Sequence, residues 1–207
     1  MNLKNKIGII DYGAGNLASI NNALNFLKLD VKLISNPNEI NNYSHLILPG
    51  VGSFGKLAKN LKNKNWPEKI DNFVKKGGYI FGICIGMQLL FEKSDEDKDA
   101  SGLGLIKGNF KKFNKEYKLP IPHMGFNEVS FHNSPIWKGI KNDSPFYFVH
   151  SYRLSDIEDN SFKSKTIYGE EFVSFVEKEN IFGSQFHPEK SHKCGLKLLK
   201  NFIELKN

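Results

Sequence analysis

The amino-acid sequence predicts an α/β protein, one domain with a twisted, mostly parallel central sheet flanked by helices. Three observations lead there. Short β-branched runs alternate with amphipathic stretches through the first half of the chain. The length, 207 residues, suits a single substantial core, taken as one unit over 1–207. The longest apolar run, residues 78–91, changes from strand-like to helix-favouring residues at a cysteine, the mark of a sharp strand-to-helix turn.

In order, residues 6–10 predict a strand and 16–28 a helix, with Leu17, Ile20, Leu24 and Leu27 at three- and four-residue spacing. Strands are expected at 31–35 and 45–48, and helices at 54–62 and 67–76, the second closed by Gly77-Gly78. The apolar stretch before Cys84 is the next strand, and residues 87–91 favour a helix beyond it. Residues 93–101 predict a charged loop. Short strands follow at 109–113, 126–131, 146–150, 166–168, 172–177 and 181–186. A last helix spans 190–205, with Leu196, Leu199, Phe202 and Ile203 on one face.

Composition narrows the function. The net charge of +7 suggests nucleic acid, yet Arg153 is the only arginine and the lysines are scattered. Arginine is the favoured group for bidentate base and phosphate contacts, so no nucleic-acid partner is expected. Two cysteines, Cys84 and Cys194, are too few for a disulfide framework. No signal-peptide pattern precedes the first strand. The 78–91 run is broken by Gln88 and is shorter than the ~20 residues of a membrane helix. A cytoplasmic protein without membrane contact is therefore expected. No metal site is expected either: H-E-x-x-H and cysteine pairs are missing, and Pro188 interrupts any helix joining His187 to His192.

Gly82-Ile83-Cys84-Ile85-Gly86 has the form of a nucleophile elbow, G-x-S-x-G with cysteine in the nucleophile's place. The flanking glycines suit the turn, because side chains there would crowd the neighbouring backbone. By itself the pentapeptide fits a small buried core cysteine equally well. A cysteine nucleophile needs a base, and a base needs an orienting acid. Among six histidines only His187 has a carboxylate at fixed close range, in His187-Pro188-Glu189. Residues two apart in an extended segment face one side, and proline keeps the residue before it extended. On that spacing Glu189 orients the His187 ring while the ring faces Cys84, and the three form a candidate catalytic triad. Alone, the tripeptide would be a strand-terminating turn.

Pro49-Gly50-Val51-Gly52 directly follows the strand at 45–48. Glycines there let backbone N–H groups turn toward a developing oxyanion, which makes Gly50, Val51 and Gly52 the candidate oxyanion loop. Gly13-Ala14-Gly15-Asn16-Leu17-Ala18 matches the dinucleotide pattern G-x-G-x-x-A. Ser35 and Asn36 stand where the confirming acidic residue belongs, and Asp30 lies too early. The glycines are read as a tight turn, and no cofactor is expected.

Together these motifs resemble the class I glutamine amidotransferases, in which an elbow cysteine is followed far downstream by His-Pro-Glu. Within that family the chain is similar, over nearly its whole length, to the glutaminase subunits of imidazole glycerol phosphate synthases. The matching blocks are DYGAGNLAS (11–19), LPGVGSFG (48–55), GICIGMQLLFE (82–92), GLGLIKGNF (102–110), IPHMGFNEV (121–129), FYFVHSY (146–152) and QFHPEKSHKCGLKLLKNF (185–202). The related glutaminases of pyridoxal phosphate synthesis should lack PHMGFNEV and FVHSY.

The resemblance implies a reaction. Cys84 attacks the side-chain amide of L-glutamine, ammonia leaves as His187 protonates it, and the glutamyl thioester is hydrolysed to glutamate. It further implies that Gly52, Gln88, Glu96 and the His150-Ser151-Tyr152 segment hold the substrate. A partner is implied as well: a (β/α)₈ synthase, bound as a heterodimer, that receives ammonia through a closed interface for histidine biosynthesis. Segments 11–19 and 121–129, with Asn16, Met124, Phe126 and Lys190, would line that contact. One position departs from the pattern. Most relatives carry Trp after the glycine of PHMG, and Phe126 keeps the aromatic ring but loses the indole N–H donor. The alternative is a paralogous glutaminase feeding a different synthase, such as one that amidates a sugar nucleotide for surface glycans.

Overall fold

The computed structural model describes residues 6–155, 157 and 161–206. The first half contains β1 (Ile7–Ile10), α1 (Leu17–Phe26), β2 (Val31–Ile34), β3 (His45–Leu48), α2 (Phe54–Asn63), α3 (Trp66–Lys75), β4 (Tyr79–Ile83) and α4 (Ile85–Leu90). The second half adds β5 (Phe91–Ser94), β6 (Ile106–Lys112), β7 (His123–Val129), β8 (Ser144–His150) and β9 (Tyr152–Arg153). It closes with β10 (Phe162–Tyr168), β11 (Glu170–Lys178), β12 (Ile181–Ser184) and α5 (His192–Glu204).

The central sheet has seven strands in the order β10-β11-β12-β4-β3-β1-β2. From β12 to β2 every pairing is parallel, while β11 and β10 are added antiparallel. Every residue of β1, β3 and β12 is buried. Strands covered on both faces need apolar residues throughout, which explains their unbroken rather than alternating pattern. Helix α1 packs against α5, and α2 packs against α3 and α4. The α5 residue Phe202 reaches the sheet, its ring 5.1 Å from that of Phe81 in β4.

Because β12, β4, β3 and β1 are adjacent and parallel, their C-terminal ends share one edge of the sheet. Residues 185–189, Cys84, the loop 49–52 and the turn 11–16 therefore follow neighbouring strands and meet there, at the ligand-binding edge of such sheets. The hairpin β7–β8, paired from His123 opposite His150 to Val129 opposite Ser144, adds a wall beside that edge. No helix among the described residues is long and apolar enough to cross a membrane.

Several boundaries differ from those expected. Residues 91–94 form β5 instead of a helix end and a loop, because Phe91 and Ser94 turn inward and the segment pairs in parallel with β6. The strand expected at 126–131 begins at His123, where its register with β8 starts. The strand expected at 181–186 ends at Ser184, and the last helix begins at His192. Between them Pro188–Lys190 forms a short 3₁₀ turn.

Candidate active site

Cys84 joins β4 to α4 with φ 57° and ψ −114°, a strained backbone conformation for a non-glycine residue. Hydrogen bonds on both sides hold it. The Cys84 N–H donates to the Ser184 carbonyl at 2.7 Å, and the Ile85 N–H donates to the Gly50 carbonyl at 3.2 Å. A Cβ on Gly86 would lie 1.9 Å from the Leu48 carbonyl oxygen, and one on Gly50 would lie 2.1 Å from the Gly86 nitrogen. These two glycines are needed for close approach: any side chain would drive the elbow away from the loop 49–52.

His187 is 1% exposed. Its N–H donates to the Tyr147 carbonyl at 2.8 Å, its carbonyl accepts from the Ser191 hydroxyl at 2.6 Å, and Phe186 anchors the segment against Phe146. The Nδ1 of His187 lies 2.7 Å from Oε1 of Glu189. The two meet across the 3₁₀ turn, not along an extended segment as the spacing predicted. Pro188 starts the turn with its preset φ, and the Lys190 N–H closes it on the His187 carbonyl at 3.0 Å. Nε2 of His187 is buried and makes no hydrogen bond to another group among the described residues. Burial alone would lower the pKa of His187; the Cys84 sulfur and the Glu189 carboxylate outweigh it and push the value up to about 10.

A pocket of about 320 Å³ opens at this edge. Cys84, His187, Val51, Gly52, Gln88, Glu96, His150, Ser151 and Tyr152, all expected in the site, line it. Gln88 is buried on α4 and not a surface residue of the helix; its amide nitrogen donates to Oε1 of Gln185 at 3.3 Å. Glu96 accepts from the Phe54 N–H at 3.1 Å, which ties it to the start of α2. Glu189 stands behind His187, with its side chain fully buried. A larger hollow of about 500 Å³, between α2 and residues 97–103, contains neither Cys84 nor His187.

Met124 and Phe126, 62% and 50% exposed, lie outside the pocket on β7. Phe126 stacks on His192 at 5.1 Å, and Lys190 places its ammonium 5.7 Å from the Tyr147 ring centre. These three thus sit together on one outer face. Asn16, expected with them, also turns inward: its Nδ2 donates to Oε1 of Glu189 at 2.6 Å.

Several contributors escaped sequence reasoning. Nε2 of Gln185 lies 3.8 Å from the Cys84 sulfur, and the Val149 carbonyl oxygen lies 3.9 Å from it. Tyr12 is fully buried and donates its hydroxyl to the Pro49 carbonyl. His123 bonds to His150 at 3.0 Å behind the pocket wall. The only sequence signal for these residues is that each falls inside a block resembling the family.

Residues 8–205 match the family described as Glutamine amidotransferase class-I. The chain is 48% identical to Imidazole glycerol phosphate synthase subunit HisH of Methanocaldococcus jannaschii, across 96% of this chain and 99% of that protein. It is 43% identical to the subunit HisH of Bacillus subtilis, across 96% of each. Among solved structures, PurLQS from Thermotoga maritima shares the fold with a TM-score of 0.77 at 21% identity, covering 97% of this chain and 98% of that one. On the match across 8–205 and on the shared fold, the chain belongs to the glutamine amidotransferase class-I family.

Proposed function

We propose that this protein is the glutaminase subunit of an imidazole glycerol phosphate synthase. It hydrolyses L-glutamine to glutamate and passes the ammonia to a (β/α)₈ synthase subunit. The observation that carries the reading is the pocket edge where the strained Cys84 meets His187, whose far nitrogen is held by Glu189. Near-full-length relatives named for that synthase support the pathway over a sugar-nucleotide paralogue.

In this mechanism Cys84, His187 and Glu189 act as a triad. With the thiol proton transferred to Nε2 of His187, the Cys84 sulfur bonds to the amide carbon of glutamine, and the carbonyl becomes an oxyanion. The C–N bond then breaks as His187 gives the proton on Nε2 to the departing nitrogen. Before the attack a pKa of about 10 holds that proton on His187 at neutral pH, and bonding of the sulfur removes the charge that favours it, which eases its transfer. Water attacks the thioester, His187 takes its proton, the C–S bond breaks and glutamate leaves. Glu189 holds Nδ1–H and so keeps Nε2 directed at the reacting atoms. Gln88, Glu96, Gly52 and residues 150–152 grip the amino-acid end of the substrate.

The loop 49–52 supports a gate. The Gly50 carbonyl faces the Ile85 N–H, and the Val51 carbonyl is held by the Gly15 N–H at 3.2 Å. In a planar peptide the Val51 N–H then points away from the elbow. Turning the Gly50–Val51 peptide over would direct the Val51 N–H inward and free the Ile85 N–H in the same motion, assembling Gly50, Val51 and Gly52 as an oxyanion loop. Partner docking on the face formed by Met124, Phe126 and Lys190, beside Asn16, would drive that turn.

The test is complementation of a histidine auxotroph lacking this subunit, with the protein's own candidate synthase co-expressed. Growth without histidine is expected. Failure to grow while the soluble pair still hydrolyses glutamine would overturn the pathway and leave the glutaminase assignment standing.

A further inference from the structure

Behind the pocket wall, three polar side chains form a chain of hydrogen bonds whose direction is set at both ends by backbone groups. At one end Nδ1 of His150 lies 2.8 Å from the Tyr152 carbonyl oxygen. A carbonyl only accepts, so the proton of His150 is on Nδ1 and Nε2 carries a lone pair. Nδ1 of His123 lies 3.0 Å from that Nε2 and must donate to it, which leaves a lone pair on Nε2 of His123. The Asn127 amide nitrogen, 3.3 Å away, fills it. The orientation of Asn127 is fixed in turn: its nitrogen donates to the Ile167 carbonyl at 2.9 Å, and its oxygen accepts from the Glu128 N–H at 2.8 Å.

The surroundings hold the chain in place. The His123 ring is stacked between Tyr168, at 4.0 Å, and Phe148, at 4.7 Å. His123 and His150 are 3% and 5% exposed. Burial lowers both pKa values, to about 4 for His123 and about 3 for His150, where the neighbouring His123 and His187 act in the same sense. Both rings are therefore neutral, as the chain of bonds requires. The terminal acceptor belongs to Tyr152, and Tyr152, Ser151, His150 and Pro122, which precedes His123, all line the pocket that also holds Cys84.

We propose that Asn127, His123 and His150 form a one-way hydrogen-bond relay that positions the Ser151-Tyr152 backbone and thereby sets the affinity of the pocket for glutamine. His123 and Asn127 are positioning residues, acting on the substrate only through His150. The proposal rests on the glutaminase reading for its kinetic arm alone. Without the His123 donor, the His150 ring either keeps an unpaired buried nitrogen or moves its proton to Nε2 and releases the Tyr152 carbonyl.

The first test needs no activity. Imidazole ¹⁵N shifts of the full chain at neutral pH are expected to show both His123 and His150 protonated at Nδ1 and bare at Nε2. An Nε2–H tautomer or an imidazolium at either position overturns the relay. The second test is steady-state glutamine hydrolysis with the partner synthase present. His123→Leu is expected to raise KM for glutamine about tenfold with a smaller change in kcat. His123→Asn, whose amide nitrogen replaces Nδ1, is expected to restore KM to within about threefold of the parent. Equal KM values for the Leu and Asn variants, or a fall in kcat at constant KM, would overturn the proposal. If His123→Leu fails to fold, Asn127→Ala at the half-buried end of the chain should still raise KM, and an unchanged KM there counts against it. A parent protein that hydrolyses no glutamine refutes the glutaminase reading and leaves the tautomer test standing.

Discussion

Asn16 and Glu189 are joined by a 2.6 Å hydrogen bond across 173 residues of sequence, on the same carboxylate oxygen that pairs with His187. Asn16 precedes α1 in the left-handed region, φ 70°, and spends no side-chain bond on capping that helix. The other oxygen of Glu189 is buried without a hydrogen bond to any group among the described residues. The turn after β1 therefore reaches the candidate acid through Asn16 and the candidate oxyanion loop through Tyr12 and Gly15.

Removing that amide should loosen Glu189. Asn16→Gly, which suits a left-handed backbone, is expected to reduce glutamine turnover about tenfold, since a hydrogen bond to a buried charge is worth ~1.5–3 kcal/mol. Asn16→Asp should be worse, because it sets a second carboxylate against the first. Glutamate release measured with saturating partner decides this. Unchanged turnover with weaker partner binding would confine Asn16 to docking.

Cys84→Ala and Cys84→Ser should abolish glutamine hydrolysis while melting like the parent, and His187→Ala should be comparably damaging. Glu189→Gln should be milder, since an orienting group acts through the base. The alkaline limb of the pH–rate profile should fall near pH 10, where His187 loses its proton. In Glu189→Gln it should move to lower pH, because a negative charge that favours the imidazolium is gone. Persistent turnover in either Cys84 variant would refute the assignment.

The orientation of the Gly50–Val51 peptide predicts that the isolated chain is a poor glutaminase. Loss of one oxyanion donor costs about 10²–10³ in rate, enough for a single peptide turn to gate the reaction. The comparison is glutamate release with and without substrate-loaded synthase. Equal rates would reject the gate.

Stability should fall early on acidification. His45, His123 and His150 are buried, and burial holds their pKa values at about 4, 4 and 3, below the ordinary 6.5. Above pH 6.5 these three groups are neutral in both folded and unfolded chains, and their own contribution to stability is complete. As pH falls below 6.5 the unfolded chain binds protons that the folded one refuses until about pH 4, so stability drains away across that window. Each tenfold loss of proton affinity on folding is worth about 1.4 kcal/mol, and all three histidines act in the same direction. Thermal melting from about pH 7.5 to about pH 4 should show Tm dropping before carboxylates begin to titrate; a flat Tm down to about pH 5 would contradict this.

Much of this was legible in the chain itself. The alternation of short apolar runs with amphipathic stretches carries the parallel sheet, because strands buried on both faces must be apolar throughout. The glycines around Cys84 mark the elbow, since only a bare Cα allows the Gly86 backbone to lie against the Leu48 carbonyl. His187-Pro188-Glu189 names its own pair through a local turn. What no local pattern holds is which distant residues become neighbours. Strand β5 exists because β6 pairs with it, Asn16 touches Glu189 because β1 and β12 end on the same edge, and His123 faces His150 because hairpin register sets them opposite. Backbone propensity and spacing act over a few residues, whereas the direction of a buried hydrogen bond depends on the acceptor at its far end. For His123 that acceptor lies 27 residues away, and only the folded chain brings it within reach.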